Sequence, residues 1–160
     1  MCPCQTLFTE LTFLFLLHKA MGHGRGRETH KYALAVIDVA SQIKETEPLT
    51  SKEAAEVWCA CHKIYNRGPL KWPQLLQVDP GHEFMGSVTK EIANHKATIC
   101  CRRTEIHRDQ AIVERFNCTL AECLLGHQYT VEMRLPAGQR STEWVARLSG
   151  IVAALNNEVT

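Results

Sequence analysis

From residue 31 onward the chain alternates between short apolar runs and longer stretches with helical spacing. KYALAVIDVAS (31–41) is a continuous apolar run containing one aspartate, the pattern of a strand buried on both faces. IKETEPL (43–49) alternates polar and apolar residues and is expected to pair with it antiparallel. Thr50 and Glu53 have capping-box spacing. Ala54, Val57, Trp58, Cys61, Ile64 and Tyr65 then recur at helical intervals until Gly68 and Pro69 stop them. PQLLQVD (73–79) predicts a short buried strand, broken by Pro80 and Gly81. Residues 87–95 predict a short helix and 97–102 another strand. A long helix is expected over 109–128, with Ile112, Val113, Phe116, Leu120, Cys123 and Leu124 on one face, and a closing helix over 141–157.

Residues 1–30 read differently. LTFLFLL (11–17) is the most hydrophobic run, yet it is too short to cross a bilayer as a helix. Glu10 stands where a secretory leader would carry positive charge. The run is therefore expected to be a buried or ill-fitting helix of a non-secreted, non-membrane protein. GHGRGRETH (22–30) reads as a Gly-rich joint. The chain divides into an apolar head with its joint (1–30) and one domain (31–160). Two strands, then helix–strand–helix–strand, then helices, make that domain α/β.

The length of 160 residues suits a single core, and 45% hydrophobic with 22% charged residues is an ordinary globular balance. A formal net charge of +1 gives no basic excess of the kind that announces a strong stand-alone DNA binder. The eight cysteines (Cys2, Cys4, Cys59, Cys61, Cys100, Cys101, Cys118, Cys123) form no C-x-x-C pair. They read mostly as small buried apolar residues in a reducing compartment.

Two carboxylates are placed where chemistry could use them. Asp79 ends a buried strand ahead of Pro-Gly, and Glu114 lies in the first turns of the long helix. Acidic oxygens on rigid elements suit Mg²⁺ or Mn²⁺, and paired metals suit phosphodiester chemistry. The plainer readings are a turn aspartate and a solvated helical glutamate. Arg102, Arg103, His107, Arg108 and Arg115 gather around the helix start, either to meet phosphates or as a solvated surface. Trp58, Trp72 and Trp144 are expected in core or interface, and Asn117-Cys118-Thr119 is a glycosylation sequon in form only.

Four ordered blocks resemble the catalytic core of the retroviral integrase superfamily. The resemblance is closest to Polinton- or Ginger-type transposon integrases and genes domesticated from them. The blocks are ALAVIDVASQIKETEPLTSKEA, LLQVDPGHEFMGSVTK, IHRDQAIVERFNCTLAE and STEWVARLSGIVAALNNEVT. The 34 residues between Asp79 and Glu114 are close to the family's spacing. The resemblance implies an RNase H-like fold, a polynucleotidyl transferase ancestry and a divalent metal, Mg²⁺ or Mn²⁺, if active. It also implies DNA as partner, possible dimerisation and a nuclear location. It assigns Asp79 and Glu114 as catalytic, metal-binding acids. His107, Arg108, Gln110 and Asn117 become DNA-contacting neighbours, Gly81 a tight turn, and Glu83 and Phe84 structural residues.

The family's first catalytic aspartate is the gap. VIDVAS matches the family's second strand, so the missing acid belongs before it, near Gly24, where there is no aspartate and no strand pattern. The sheet is thus expected to lack its first strand, the domain to be truncated, and catalysis to be lost. Asp38 or Glu28 could stand in only if an active enzyme remains. Cys2, Cys4, His18 and His23 faintly resemble a remnant of the family's zinc-binding module, with the wrong order and spacing. A non-enzymatic dimerising module is the third reading.

Overall fold

A computed structural model describes residues 8–15, 30–78, 87–101, 111–137, 139, 141 and 143–158. The elements are β1 (Phe8–Phe15), β2 (Tyr32–Asp38), β3 (Lys44–Leu49), α1 (Ala54–Arg67), β4 (Leu75–Val78), α2 (Ser87–Asn94), β5 (Thr98–Cys101), α3 (Ala111–Glu132) and α4 (Trp144–Asn157). Five strands form one sheet in the order β3-β2-β1-β4-β5. β1 runs antiparallel to β2, β2 antiparallel to β3, and β1, β4 and β5 run parallel.

The central strand of this sheet is β1, drawn from the head that reads in the sequence as an ill-fitting helix. The expected loss of a strand before β2 is therefore overturned. Seven residues of β1 are in register with β2, and four with β4. FTELTFLF is the right length for a strand and is rich in Phe and Thr, which favour one. The possible zinc remnant of Cys2, Cys4, His18 and His23 falls outside the described residues, as do Glu28, Gly81, Glu83, Phe84, Arg102 and Arg103.

Burial divides the sheet into two faces. Leu34 and Val36 of β2 join Leu76 and Val78 of β4 under α1 and α2, with Val57, Ala60, Cys61, Ile64 and Ile92. Ala33, Ala35 and Ile37 point the other way, into a second core with Val113, Phe116, Leu120 and Leu124 of α3 and Trp144, Leu148, Val152 and Leu155 of α4. The strict alternation along YALAVID explains its apolar continuity, since both faces are covered. The two alanines leave room for α3 to lie close to the sheet.

Details of the expected elements change. Glu53 is the N-cap of α1 but makes no side-chain cap bond. Instead the Glu56 carboxylate reaches back and accepts hydrogen bonds from the Thr50 and Ser51 N–H groups (2.5 and 2.8 Å) and from both hydroxyls. Gly68 ends α1 in extended backbone, not in a left-handed cap. A Cβ there would lie 3.2 Å from the Ile64 carbonyl oxygen, so close approach explains the glycine. On α3, Ile112 and Cys123 lie outside the buried stripe and are exposed. The expectation of mostly buried cysteines also fails. Cys59, Cys100, Cys118 and Cys123 are exposed; Cys61 is buried, and burial pushes its thiol up to about 12.

Candidate metal centre

Glu114 lies in the first turn of α3, one residue after the fully buried Val113. That neighbour anchors the helix against β2, so the exposed Glu114 is carried at a fixed height over the sheet. A carboxylate in a first turn also complements the positive end of the helix dipole. Asn117, one turn later, is half-buried, and its Oδ1 is enclosed with no hydrogen-bond partner. Glu114 and Asn117 thus place two hard oxygen donors one turn apart. Arg115 is exposed on the same turn.

β4 ends at the fully buried Val78, and Asp79 is the next residue in the chain. Asp79 itself lies outside the described residues, as do His107, Arg108 and Gln110. Among the described residues, no three His, Cys, Asp or Glu side chains come together to hold a metal ion. The fit to a divalent cation is therefore partial, with suitable donors on α3 but no grouped set.

Register decides which sheet residues share a face with α3. Residues paired across adjacent strands lie on one face. Ile37, Glu10 and Gln77 form one such row, and Ile37 packs in the core beneath α3 and α4. Asp38, Thr9 and Leu76 form the next row, and Leu76 packs under α1. Asp38 therefore belongs to the face away from Glu114, so it does not stand in for the missing acid. Its Oδ2 accepts hydrogen bonds from the Ser41 N–H (2.9 Å) and hydroxyl (2.5 Å), which closes the β2–β3 turn. On the same side, burial pushes the Tyr65 phenol well above its ordinary range, with Cys61 and Asp38 adding to the rise.

Trp144 is buried in the α4 core, in line with the sequence reading. Trp58 and Trp72 are half-buried in an aromatic group beside α1, where Trp72 stacks on His95 with ring centroids 4.0 Å apart and planes 7° apart. Asn117 and Thr119 of the sequon lie within α3, and the Thr119 hydroxyl donates to the Arg115 carbonyl. Two polar positions of β1 escape the sequence reading, Thr9 and Glu10, whose signal is a polar pair within an apolar run. No described helix is long and apolar enough to cross a membrane.

No family model matches this sequence, and no curated protein does. Solved structures do. The fold is similar to the catalytic core domain of BIV integrase, with a TM-score of 0.65 and 15% identity over 97% of this chain and 86% of that one. It is also similar to a chain of the simian T-cell lymphotropic virus intasome, with a TM-score of 0.70 and 14% identity over 97% of this chain and 50% of that one. The fold is thus the RNase H-like fold of integrase catalytic cores.

Proposed function

We propose that this chain is an integrase core derived from a retroelement or DNA transposon, of the Polinton or Ginger type by its sequence blocks, that engages DNA without catalysing strand transfer. One observation carries the loss of catalysis: β1, the central strand and the first of the sheet, contains no aspartate. The resemblance requires its first acid on that strand. Asp79 and Glu114 would then hold Mg²⁺ or Mn²⁺ only weakly, with two carboxylates in place of three, and removing one member of a catalytic set that acts as a unit removes nearly all of the activity. His107, Arg108, Gln110 and Asn117 would meet DNA at the start of α3. The core would act in the nucleus, as a dimer.

A second reading has one observation in its favour. The sole carboxylate of β1, Glu10, is in register with Ile37 and Gln77, on the row that belongs to the α3 face. Under this reading Glu10, not Asp38 or Glu28, replaces the missing aspartate, and the chain is a metal-dependent polynucleotidyl transferase.

A strand-transfer assay with Mn²⁺ separates the two. The proposal expects no joined product from the wild-type chain. Product that is lost in Glu10→Gln, Asp79→Asn and Glu114→Gln alike would establish the second reading. DNA binding that weakens steeply with salt supports the nucleic-acid role, whereas absence of binding at low salt leaves only a protein-interaction module.

A further inference from the structure

β3 is one of the two edge strands of the sheet, and its outward backbone groups can be assigned one by one. Asp38 and Ile43 are joined by a hydrogen bond (3.0 Å), which sets the alternation of the β2–β3 ladder. Glu45, Glu47 and Leu49 therefore turn their N–H and C=O groups toward β2, and Lys44, Thr46 and Pro48 turn theirs outward. An outward row of free donors and acceptors is a template for another strand.

Here the row is taken by side chains. The Asn156 amide, near the end of α4, accepts from the Lys44 N–H (2.9 Å) and donates to the Lys44 carbonyl (2.8 Å). One side-chain amide thus makes both bonds that a neighbouring strand would make. The Arg67 guanidinium, in the last turn of α1, donates to the Thr46 carbonyl while it pairs with Glu45 (3.0 Å) and Glu47 (2.6 Å). Pro48 has no N–H to offer. At most the Thr46 N–H and the Pro48 carbonyl remain for an incoming strand.

We infer that Asn156 and Arg67 form a lock on the β3 edge, holding it closed against strand addition by a second copy of this chain. The lock ties both helical layers to the edge strand, since its two parts come from α4 and α1. Asn156 is the simpler part to remove, because it is exposed and its recorded bonds go only to the Lys44 backbone.

The test is Asn156→Ala in the full chain, compared with wild type by sedimentation velocity over a concentration series and by amide exchange. The lock predicts self-association beyond the wild-type state. It also predicts Lys44 amide exchange about fivefold faster for the lost hydrogen bond, with the inward Glu45 and Leu49 amides unchanged. Adding Thr46→Pro removes the last outward N–H and should return the variant to the wild-type assembly state. If Asn156→Ala unfolds, Asn156→Asp keeps the acceptor for the Lys44 N–H and frees only the carbonyl, and it should associate to a smaller extent. A folded variant with wild-type sedimentation, or association that Thr46→Pro leaves untouched, overturns the inference.

Discussion

Thr9 of β1 and Asp38 of β2 stand opposite each other across the antiparallel ladder, and both are almost wholly buried, at 2% and 5% exposed. The pairing settles two matters together. It places a strand from the N-terminal segment at the centre of the sheet, and it assigns the Asp38 carboxylate to the turn beneath α1, on the face away from Glu114. Asp38→Ala removes two hydrogen bonds to Ser41, and bonds to a charged acceptor contribute about 1.5–3 kcal/mol each at most. A loss of about 1–2 kcal/mol is expected, because the second carboxylate oxygen is buried without a partner and its removal gives some stability back. Urea unfolding measures it. The same experiment with Mn²⁺ should shift variant and wild type equally, since Asp38 is not a metal ligand here; a smaller shift in the variant would make it one.

The close approach of α3 to the sheet rests on small side chains. Ala35 is fully buried and lies opposite Thr12 on one side and Thr46 on the other. Its neighbours in the core are the large residues of α3 and α4. Ala35→Leu forces new methylene volume into this packed layer, where such insertions cost about 1–3 kcal/mol. A lower Tm with unchanged far-ultraviolet dichroism is the expected result. Because α3 carries Glu114 and Asn117, the same variant should also weaken any DNA binding that depends on the start of that helix.

The sequence made β2 to β5 and the four helices legible because their periods are unambiguous. The 113–116–120–124 stripe leaves one reading, and the continuous apolar run YALAVID reads as a strand buried on both faces. β1 is harder to read, because a short apolar-rich run of eight residues suits a helix turn as well as a strand. The difference reaches the site, since a missing strand and a strand lacking an aspartate make different proteins. Glu114 and Asn117 were legible from their helical block, and the structure adds the unpartnered Asn117 Oδ1. Asn156 was invisible in principle, because its partner Lys44 is 112 residues away and is bonded through the backbone.

Glu56 gives a pH dependence of known sign. Burial alone would raise its carboxyl, but hydrogen bonds from Ser51 and Thr50 outweigh burial and hold it below its ordinary value of 4.5. A depressed folded value means that the stability this group contributes is fully present above the ordinary value and is lost as pH falls through the folded one. Glu56→Gln should therefore be less stable than wild type at neutral pH. The two should converge as pH falls through the folded value, where the wild-type carboxylate becomes protonated. Urea midpoints across that range check it, and a gap that stays constant would show that the charge of Glu56 contributes nothing.

The end of α2 offers a stabilising substitution. The Ala97 N–H bonds to the Ile92 carbonyl and the Lys96 N–H to the Ala93 carbonyl, the paired bonds of a Schellman ending, with Lys96 at the left-handed position (φ 60°). Ile92 and Ala97 are both buried in the core beneath α1, which supplies the hydrophobic contact that accompanies this ending. A lysine there bears the steric cost of a Cβ in left-handed backbone, and glycine does not. Its side chain is exposed, so its removal sacrifices little packing. Lys96→Gly should raise stability by about 0.5–1 kcal/mol, after the extra unfolded-state entropy of glycine is set against the relieved strain. Equilibrium denaturation reads this directly. A decrease would mean that the lysine side chain contributes more to α2 than its backbone position costs.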